Sequence, residues 1–474
     1  MNLFGFQFGF RNGSAHEGAS STPNRRSPNG PRPTDAKNEL PAYTRDELVR
    51  RARWADKNSG MARAIARDHQ LYAIGDGIRA QAATENPEWN RKAEKLWRDW
   101  SREADITRRY SLTQLLHIVS RTIDRDGEVF VVKSRNRFGR PALQLIEAHR
   151  CADGESPLAG MVDGVAFDEF GAPATYRFIR DDGSARDVPA AAVCHLHEPD
   201  AISASRARPF LAHGLNSILD EAEIVAANKK GVKDQLRVAR LVTTAQGTAE
   251  SAGPAFGSVP AADGSVSADE IDARLGFGAT AVLPNGSGVT NLMNNLPNPT
   301  FQGFLEWIRR EVSSGALPYE FVQDPSKVGG AAVRLVVGKA DRAFSHRQLL
   351  IIEQLLEKVW PWVIADFIAR GELEAAADFW RSAWVTPRRV TVDAGRDANA
   401  NREDVKVGLK TLSDDFAERG MDYEEELRRR ARDAQIRKRI AAEFGVSERD
   451  LYDPAPNNAQ PAQPVQPSDQ EPQQ

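Results

Sequence analysis

The residues best suited to hold a metal ion are the run Cys194-His195-Leu196-His197. If this run is a β-strand, His195 and His197 share one face and Cys194 points to the other, because successive side chains alternate. Protein zinc sites need three or four convergent ligands. Two histidines without a third ligand therefore indicate a structural pair, and we predict no metal site and no cofactor.

Two carboxylates, Asp126 and Glu128, would also share a strand face, and we expect them to be solvated because they open a strand after a turn. The sequence lacks a Walker loop, a G-x-S-x-G nucleophile elbow and an H-E-x-x-H zinc motif. No constellation of residues supports a catalytic site, so we predict that the chain is not an enzyme.

A basic stripe consists of Lys230, Lys233, Arg237 and Arg240, spaced three, four and three residues apart on a predicted helix. One interpretation is a solvated face, or a face paired with acidic residues of a neighbouring chain. The other is sequence-independent contact with DNA phosphates, which requires cations but no base-reading side chains. The sequence leaves both open.

The net charge of −3 excludes strong overall attraction to nucleic acid or to membranes, so any DNA contact must come from local charge. The two cysteines, Cys151 and Cys194, have no metal spacing and fit a reducing compartment. The N-terminus lacks the pattern of a secretory signal, and the most apolar stretch, 349–369, carries four charged residues. We therefore expect a soluble intracellular protein without a membrane segment.

These residues are carried by helices and strands that the hydrophobic pattern predicts. In the first half, a helix follows a capping box at Thr44, and a second helix over 89–102 carries Trp89, Trp97 and Trp100 as core residues. From 126 to 179 the apolar period changes to that of strands, with turns at Asp163-Gly164 and Asp182-Gly183. This half is predicted to be a mixed α+β module.

In the second half, apolar spacing predicts a helix from Pro209 to Ala239, roughly 45–50 Å long if unbroken. A short strand, Ala279–Leu283, follows a Gly/Ser-rich stretch, and Thr300 is expected to cap a helix that Pro318 ends. A Gly-containing loop over 323–331 then leads to a helix over 333–369 with a kink at Pro361, and a charged helix covers 422–444. The composition of 1–40 and of the Pro/Gln-rich tail predicts that neither end builds a core.

Several short motifs occur in the order of a known family. They include Asn58-Ser-Gly-Met, Ile74-Gly-Asp-Gly-Ile78, Trp97-x-x-Trp100, Asp126-Gly-Glu128, Leu143-Gln-Leu-Ile-Glu147, Val165-Ala-Phe-Asp168, Pro318-Tyr-Glu320, Ala332-Val-Arg334, Trp360-Pro-Trp362, Trp384-Val-Thr-Pro387 and Gly420-Met-Asp-Tyr-Glu424. From about residue 40 to about residue 445 the chain thus resembles the lambda-type phage portal family. It departs from that pattern at Asp393-Ala-Gly395, where the family often has Asp-Pro, at Val328-Gly-Gly330, and over 245–280.

The resemblance implies a portal-type α+β fold with a mixed α/β wing, a two-helix stem, an inserted clip, a long kinked helix and a helical crown. The implied segments are an N-terminal arm (1–40), the wing (41–208), a stem helix (209–242), the clip (243–298), a second stem helix (299–322), a tunnel loop (323–332), the kinked helix and wing return (333–401), the crown (402–450) and a tail (451–474). The implied channel residues of the tunnel loop are Gln323, Asp324, Ser326, Lys327, Val328, Gly329 and Gly330.

The resemblance also implies a function. It predicts a homo-oligomeric ring, typically a dodecamer, that sits at one capsid vertex of the virion and assembles in the host cytoplasm. Implied partners are double-stranded DNA bound without sequence preference, the terminase large subunit, the major capsid or scaffold protein, and head-completion and tail proteins. Two alternatives are a free-standing DNA-binding protein, which needs a stronger basic face, and a hydrolase, which needs a convergent polar pocket.

Overall fold

The computed structural model describes residues 34–158, 160–243, 279–283, 300–392, 394–419, 421, 423–448 and 451. The helices are α1 Ala36–Glu39, α2 Ala42–Asn58, α3 Gly60–Asp68, α4 Pro87–Ser101, α5 Leu112–Asp126, α6 Leu215–Arg237, α7 Phe301–Ser314, α8 Tyr319–Val322, α9 Ala331–Ile351, α10 Glu357–Ala369, α11 Ala394–Lys406, α12 Leu412–Glu418 and α13 Tyr423–Phe444. The strands are β1 Arg79–Ala82, β2 Glu128–Arg135, β3 Pro141–Glu147, β4 Met161–Val162, β5 Val165–Phe167, β6 Pro173–Ile179, β7 Ala185–Pro189, β8 Val193–His197, β9 Val238–Thr243, β10 Ala279–Leu283 and β11 Ser382–Val385. The chain is thus a mixed α+β protein, as the sequence predicts.

Two antiparallel sheets form the β part of the first half. One has the strand order β3-β2-β8 and the other the order β4-β5-β6-β7. The predicted turn at Asp163-Gly164 joins β4 to β5, and both residues have positive φ, as a tight hairpin turn of this kind requires. The predicted turn at Asp182-Gly183 lies between β6 and β7.

Tryptophans dominate the first hydrophobic core, which lies between α4, α5, one face of the three-stranded sheet and α10. The Trp97 ring lies 4.7 Å from that of Trp100 and 5.1 Å from that of Trp360, measured between centroids. Trp100 donates from its indole nitrogen to the Pro141 carbonyl, and Trp89 donates to that of Glu374. The helix over Pro87–Ser101 and the core role of its three tryptophans confirm the sequence prediction.

A second core joins the N-terminal helices to the start of the long helical region. It packs α2 and α3 against the first turn of α6, the C-terminal half of α7 and Phe344 of α9. Between α3 and α5 the chain forms a π-helical turn, His69–Ile74, whose Tyr72 ring stacks on Phe344. A third core lies between the two sheets around Phe130, Tyr176 and Phe178.

Three helix ends differ from the sequence prediction. Helix α2 begins at Ala42 after Pro41, without a side-chain cap, because the fixed φ of proline suits the first turn as well as a capping box at Thr44 does. Thr300 does not cap α7, since its backbone is already helical and its side chain makes no capping bond. That helix ends at Ser314, and Pro318 instead precedes the short helix α8.

The predicted helix from Pro209 to Ala239 is shorter than expected. Its helical part, α6, has 23 residues and is therefore about 34 Å long. A 3-10 turn, Ala212–Gly214, precedes it. The chain then turns into strand β9, which pairs in parallel with the predicted strand β10. β-branched Val238, Val242 and Thr243 favour the extended form at this end.

The long helical region departs from regularity before Pro361 and not at it. A π-helical segment, Ile352–Leu356, separates α9 from α10, and Pro361 lies inside α10. Proline leaves the carbonyl four residues earlier, that of Glu357, without its usual partner, but Glu357 already belongs to α10, so the π-helical segment lies upstream of the bond that Pro361 removes. The sequence predicts a kink at Pro361, whereas α10 continues through that residue and the irregular segment lies about two turns earlier.

The predicted arm contains the short helix α1, whose first backbone N–H donates to the Ser203 hydroxyl at 2.8 Å. The rest of that arm (1–33), most of the predicted clip and the tail from 452 lie outside the described residues. Within the part that is described, no helix is long and apolar enough to cross a bilayer.

Candidate functional site

Asp126 is the last residue of α5 and Glu128 the first of β2, so they do not share a strand face as expected. Both are buried, which corrects the expectation that they are solvated. Asp126 accepts hydrogen bonds from the guanidinium groups of Arg53 (2.7 and 2.9 Å) and Arg125 (2.9 and 3.0 Å). Burial by itself would raise the pKa of Asp126, but the two arginines outweigh it and lower that pKa below its usual value. The carboxylate is therefore ionised and fully paired.

Glu128 is the centre of a second buried charge cluster. Its Oε1 accepts from Arg206 Nε at 2.8 Å, and its Oε2 lies 2.9 Å from Nε2 of His195. Burial would raise the pKa of Glu128, but the charge of Arg206 and the hydrogen bond with His195 hold it well below its usual range. Arg206 also donates to the backbone carbonyls of Cys151 and Ala148, at 2.9 and 2.8 Å.

The same arginine extends this cluster to the hairpin between β4 and β5. Arg206 Nη1 lies 3.3 Å from Asp163 Oδ1, and Asp163 receives a two-bond contact from the buried Arg45. Residues from α2, β2, the β4–β5 turn and the segment before α6 are thereby joined. An arginine bound on every side in this way has no free donor for a substrate, so the cluster fixes the β module to the helices.

The pair His195 and His197 lies on one face of β8, as predicted, with ring centroids 4.3 Å apart. Burial, together with the neighbouring His195, lowers the pKa of His197 to about 4. Cys194 points to the other face and is buried in the first core. Among the residues that the structure describes, no group of three His, Cys, Asp or Glu side chains could hold a metal ion.

A third buried charge cluster was not anticipated from the sequence. Asp124 of α5 lies 3.1 Å from Nδ1 of His69 and accepts from Arg347 of α9 at 2.8 Å. Burial would raise the pKa of Asp124, and the charges of Arg347 and His69 lower it instead. The pattern could not be read from spacing, because the three residues come from helices far apart in the chain.

The loop between α8 and α9 is exposed at its tip, where Gly330 adopts a positive φ of 50°. A 3-10 turn, Pro325–Lys327, begins where Asp324 accepts a hydrogen bond from the Ser326 backbone at 3.0 Å. The other residues singled out from the sequence, Gln323, Val328 and Gly329, flank this turn. Lys327 is not free: its ammonium lies 2.5 Å from Glu306 Oε2 of α7.

The basic stripe is divided between two elements. Lys230 and Lys233 lie on α6 and are exposed, and Arg237 is the last residue of that helix. Arg240 belongs to β9, so the expectation of four cations on one helix face is wrong for Arg240. The helical spacing stops applying after Arg237, because α6 ends there and β9 begins at Val238.

Comparison with known proteins places the chain in a family. The model of the phage portal protein, lambda family, matches residues 23–348. No curated protein matches the sequence. Similar solved structures include the neck of an empty GTA particle computed with C6 symmetry (14% identity, 79% of this chain and 93% of that chain, TM-score 0.43) and the virion of a native gene transfer agent (GTA) particle (13%, 80% and 93%, TM-score 0.42).

The family match covers well over half of the chain and includes the three buried charge clusters, α6, α7 and the loop before α9. The chain therefore belongs to the lambda family of phage portal proteins, the head–tail connectors of phage virions.

Proposed function

We propose that this portal protein forms a homo-oligomeric ring, typically a dodecamer, that conducts double-stranded DNA into and out of the capsid. The family is structural, so we infer that the chain has no catalytic activity and that a terminase supplies the energy for packaging. The terminase large subunit, the capsid or scaffold protein and later the head-completion and tail proteins would bind the ring in turn.

The observation that carries the ring proposal is the uncovered side of α7. This helix buries Ile308 and Val312 against the start of α6, and Arg309 pairs with Glu221 of α6 at 2.7 Å. The same helix leaves Trp307 61% exposed and Phe304 46% exposed, with their rings stacked 6.3 Å apart. An exposed aromatic pair is typical of a protein–protein contact, and copies arranged head to tail in a closed ring would cover it.

In this ring, the helices α6 and α7 act as the stem and the α+β half as the wing. The region 402–450 forms the crown, and the clip follows β9. Channel contact is assigned to the loop over 323–332, because it is exposed and joins the stem to the long helix α9. The contact needs no base-reading groups, since a conduit must accept every sequence.

An ion pair bears on the proposed role of Lys327 in this loop. Its ion pair with Glu306 links the loop to α7, so the loop position depends on the stem as well as on its own backbone. If Lys327 contacts DNA, it must exchange Glu306 for a DNA phosphate; if it keeps Glu306, it only positions the loop. The stem cations Lys230 and Lys233 keep both of their interpretations, DNA contact or pairing between copies.

The decisive test is electron microscopy of the purified protein together with mass measurement in solution. We expect rings with a central hole. Trp307→Asp should shift the protein towards monomers, because it places a charge in the contact, and Trp307→Phe should preserve rings. A wild-type protein that stays monomeric at every concentration would refute the proposal.

A further inference from the structure

The last helix of the described chain, α13, has two opposite faces. Tyr423 packs on Phe416 of α12, with ring centroids 5.4 Å apart, and Ala441 is buried. At 100° per residue, Tyr423 and Ala441 share one side of the helix. Arg428, Arg432 and Arg439 fall within about 40° of each other on roughly the opposite side. All three are exposed.

The charge of this helix is unevenly distributed along its length. The three glutamates that open it each contact an arginine: Glu424 contacts Arg428, Glu425 contacts Arg98, and Glu426 contacts Arg429 and Arg430. The segment 428–440 that follows contains seven basic residues and a single acidic one, Asp433. The positive charge of this segment therefore exceeds what the local acids can neutralise.

Two members of the outward stripe have no acidic partner within the described part of the chain. Arg432 and Arg439 make no ion pair with any residue that the structure describes, and the glutamates that open α13 contact other arginines. Exposed, unpaired guanidinium groups in a row attract an anionic partner. The partner must present several negative charges in a line, because the cations are in a line.

We propose that the stripe Arg428, Arg432 and Arg439 binds the phosphate backbone of double-stranded DNA. This inference rests on the proposed function, since a ring that carries DNA presents every copy of α13 to the same polymer. The stripe extends over eleven helical steps, from Arg428 to Arg439, and thus about 16 Å of helix. One DNA strand carries a phosphate about every 3.4 Å of axis, so the stripe can meet the phosphates of about five consecutive steps.

The guanidinium group suits this contact. Arginine presents a planar fork of donors that binds two phosphate oxygens at once and keeps its charge at every physiological pH. Gln435 lies on the same face and can donate to a phosphate as well. The interaction would be independent of base sequence and strongly dependent on salt.

The test uses the full-length protein and a fluorescein-labelled 30-base-pair duplex of mixed sequence, titrated at several salt concentrations. In Arg432→Gln/Arg439→Gln, the slope of log Kobs against log salt should fall by about 2 for each contacting subunit, since each lost phosphate contact removes about 0.9. Arg432→Glu/Arg439→Glu should weaken binding at least about tenfold. Arg432→Lys/Arg439→Lys, which keeps both charges, should keep the wild-type slope.

The matched control is Lys92→Glu/Lys95→Glu on α4, which makes the same charge change at two exposed lysines on another helix. If the stripe and control variants bind DNA equally, with equal salt slopes and intact rings by electron microscopy, the stripe does not bind DNA. That result would leave the ring proposal untouched. Loss of rings in the stripe variant only would also overturn it, and would make the stripe a contact between copies. Absence of rings in the wild-type protein would instead refute the proposed function.

Discussion

Replacing Arg206 tests whether the buried charge cluster around Glu128 holds the β module to the helices. Arg206→Met keeps most of the side-chain volume and removes the guanidinium group. Glu128 would keep its contacts with His195 and with the Ala207 backbone, and would lose the cation that neutralises it. Both partners are buried, so the variant leaves an uncompensated charge in a water-poor environment.

The expected cost is about 3–5 kcal/mol of folding free energy, the usual effect of removing one member of a buried ion pair. Three backbone carbonyls, of Cys151, Asp163 and Ala148, also lose the hydrogen bond from Arg206. Adding Glu128→Gln should recover part of that cost, because the amide is neutral and still forms hydrogen bonds. The two changes would therefore be less costly together than the sum of the single effects.

Urea unfolding at pH 7.5, followed by tryptophan fluorescence, measures these differences. Arg180→Met is the control, since Arg180 is exposed in the same module, and we expect a change within about 0.5 kcal/mol. The lowered pKa of Glu128 means that the stabilisation is complete above the usual carboxyl range and declines as pH falls towards the folded-state pKa. An Arg206→Met variant within about 1 kcal/mol of the wild type at pH 7.5 would refute the reasoning.

Three further predictions follow from the structure. Lys327→Asp, or deletion of 328–330, should impair DNA packaging or retention more than ring formation, measured by packaging assay and microscopy, and normal packaging would remove the loop from the mechanism. Gly127→Ala should destabilise the protein by more than about 1 kcal/mol in urea, because its φ is 89° and an added Cβ would lie 2.3 Å from the Arg208 carbonyl oxygen, whereas Gly183→Ala meets no neighbour and measures the cost of positive φ alone. His197 has a pKa lowered to about 4, so the folded state resists its protonation and the free energy of unfolding decreases as pH falls from about 6.5 towards 4. His197→Phe should flatten that part of the stability–pH curve, measured by urea unfolding.

Local structure could be predicted from the sequence where one short segment determines it. The tryptophan helix, the strand Ala279–Leu283 and the alternation of His195 and His197 depend on neighbours within a few residues. The helix ends were less predictable, because Pro41 and Thr300 each permit more than one start. The π-helical segments could not be predicted, since they depend on packing between α5, α9 and β8.

The chemistry of the buried charges was beyond sequence reasoning for the same reason. Asp126 and Glu128 look solvated as the start of a strand, and only the fold brings Arg53 and Arg206 to them across 73 and 78 residues. The ion pair of Lys327 is equally invisible in the sequence, because its partner Glu306 lies 21 residues away on α7. Charge pairing over long sequence distances leaves no periodic signature.

The parallel pairing of β9 and β10 sets a lower limit on how far the segment between them can be shortened. In an antiparallel pair, a two-residue turn can join the strands, whereas parallel strands require the connection to return along their whole length. Five paired residues correspond to about 17 Å, which takes at least about five extended residues to retrace. Any shortened variant of the segment between β9 and β10 must therefore keep enough residues to return along the strands. Both strands run away from the end of α6 in the same direction.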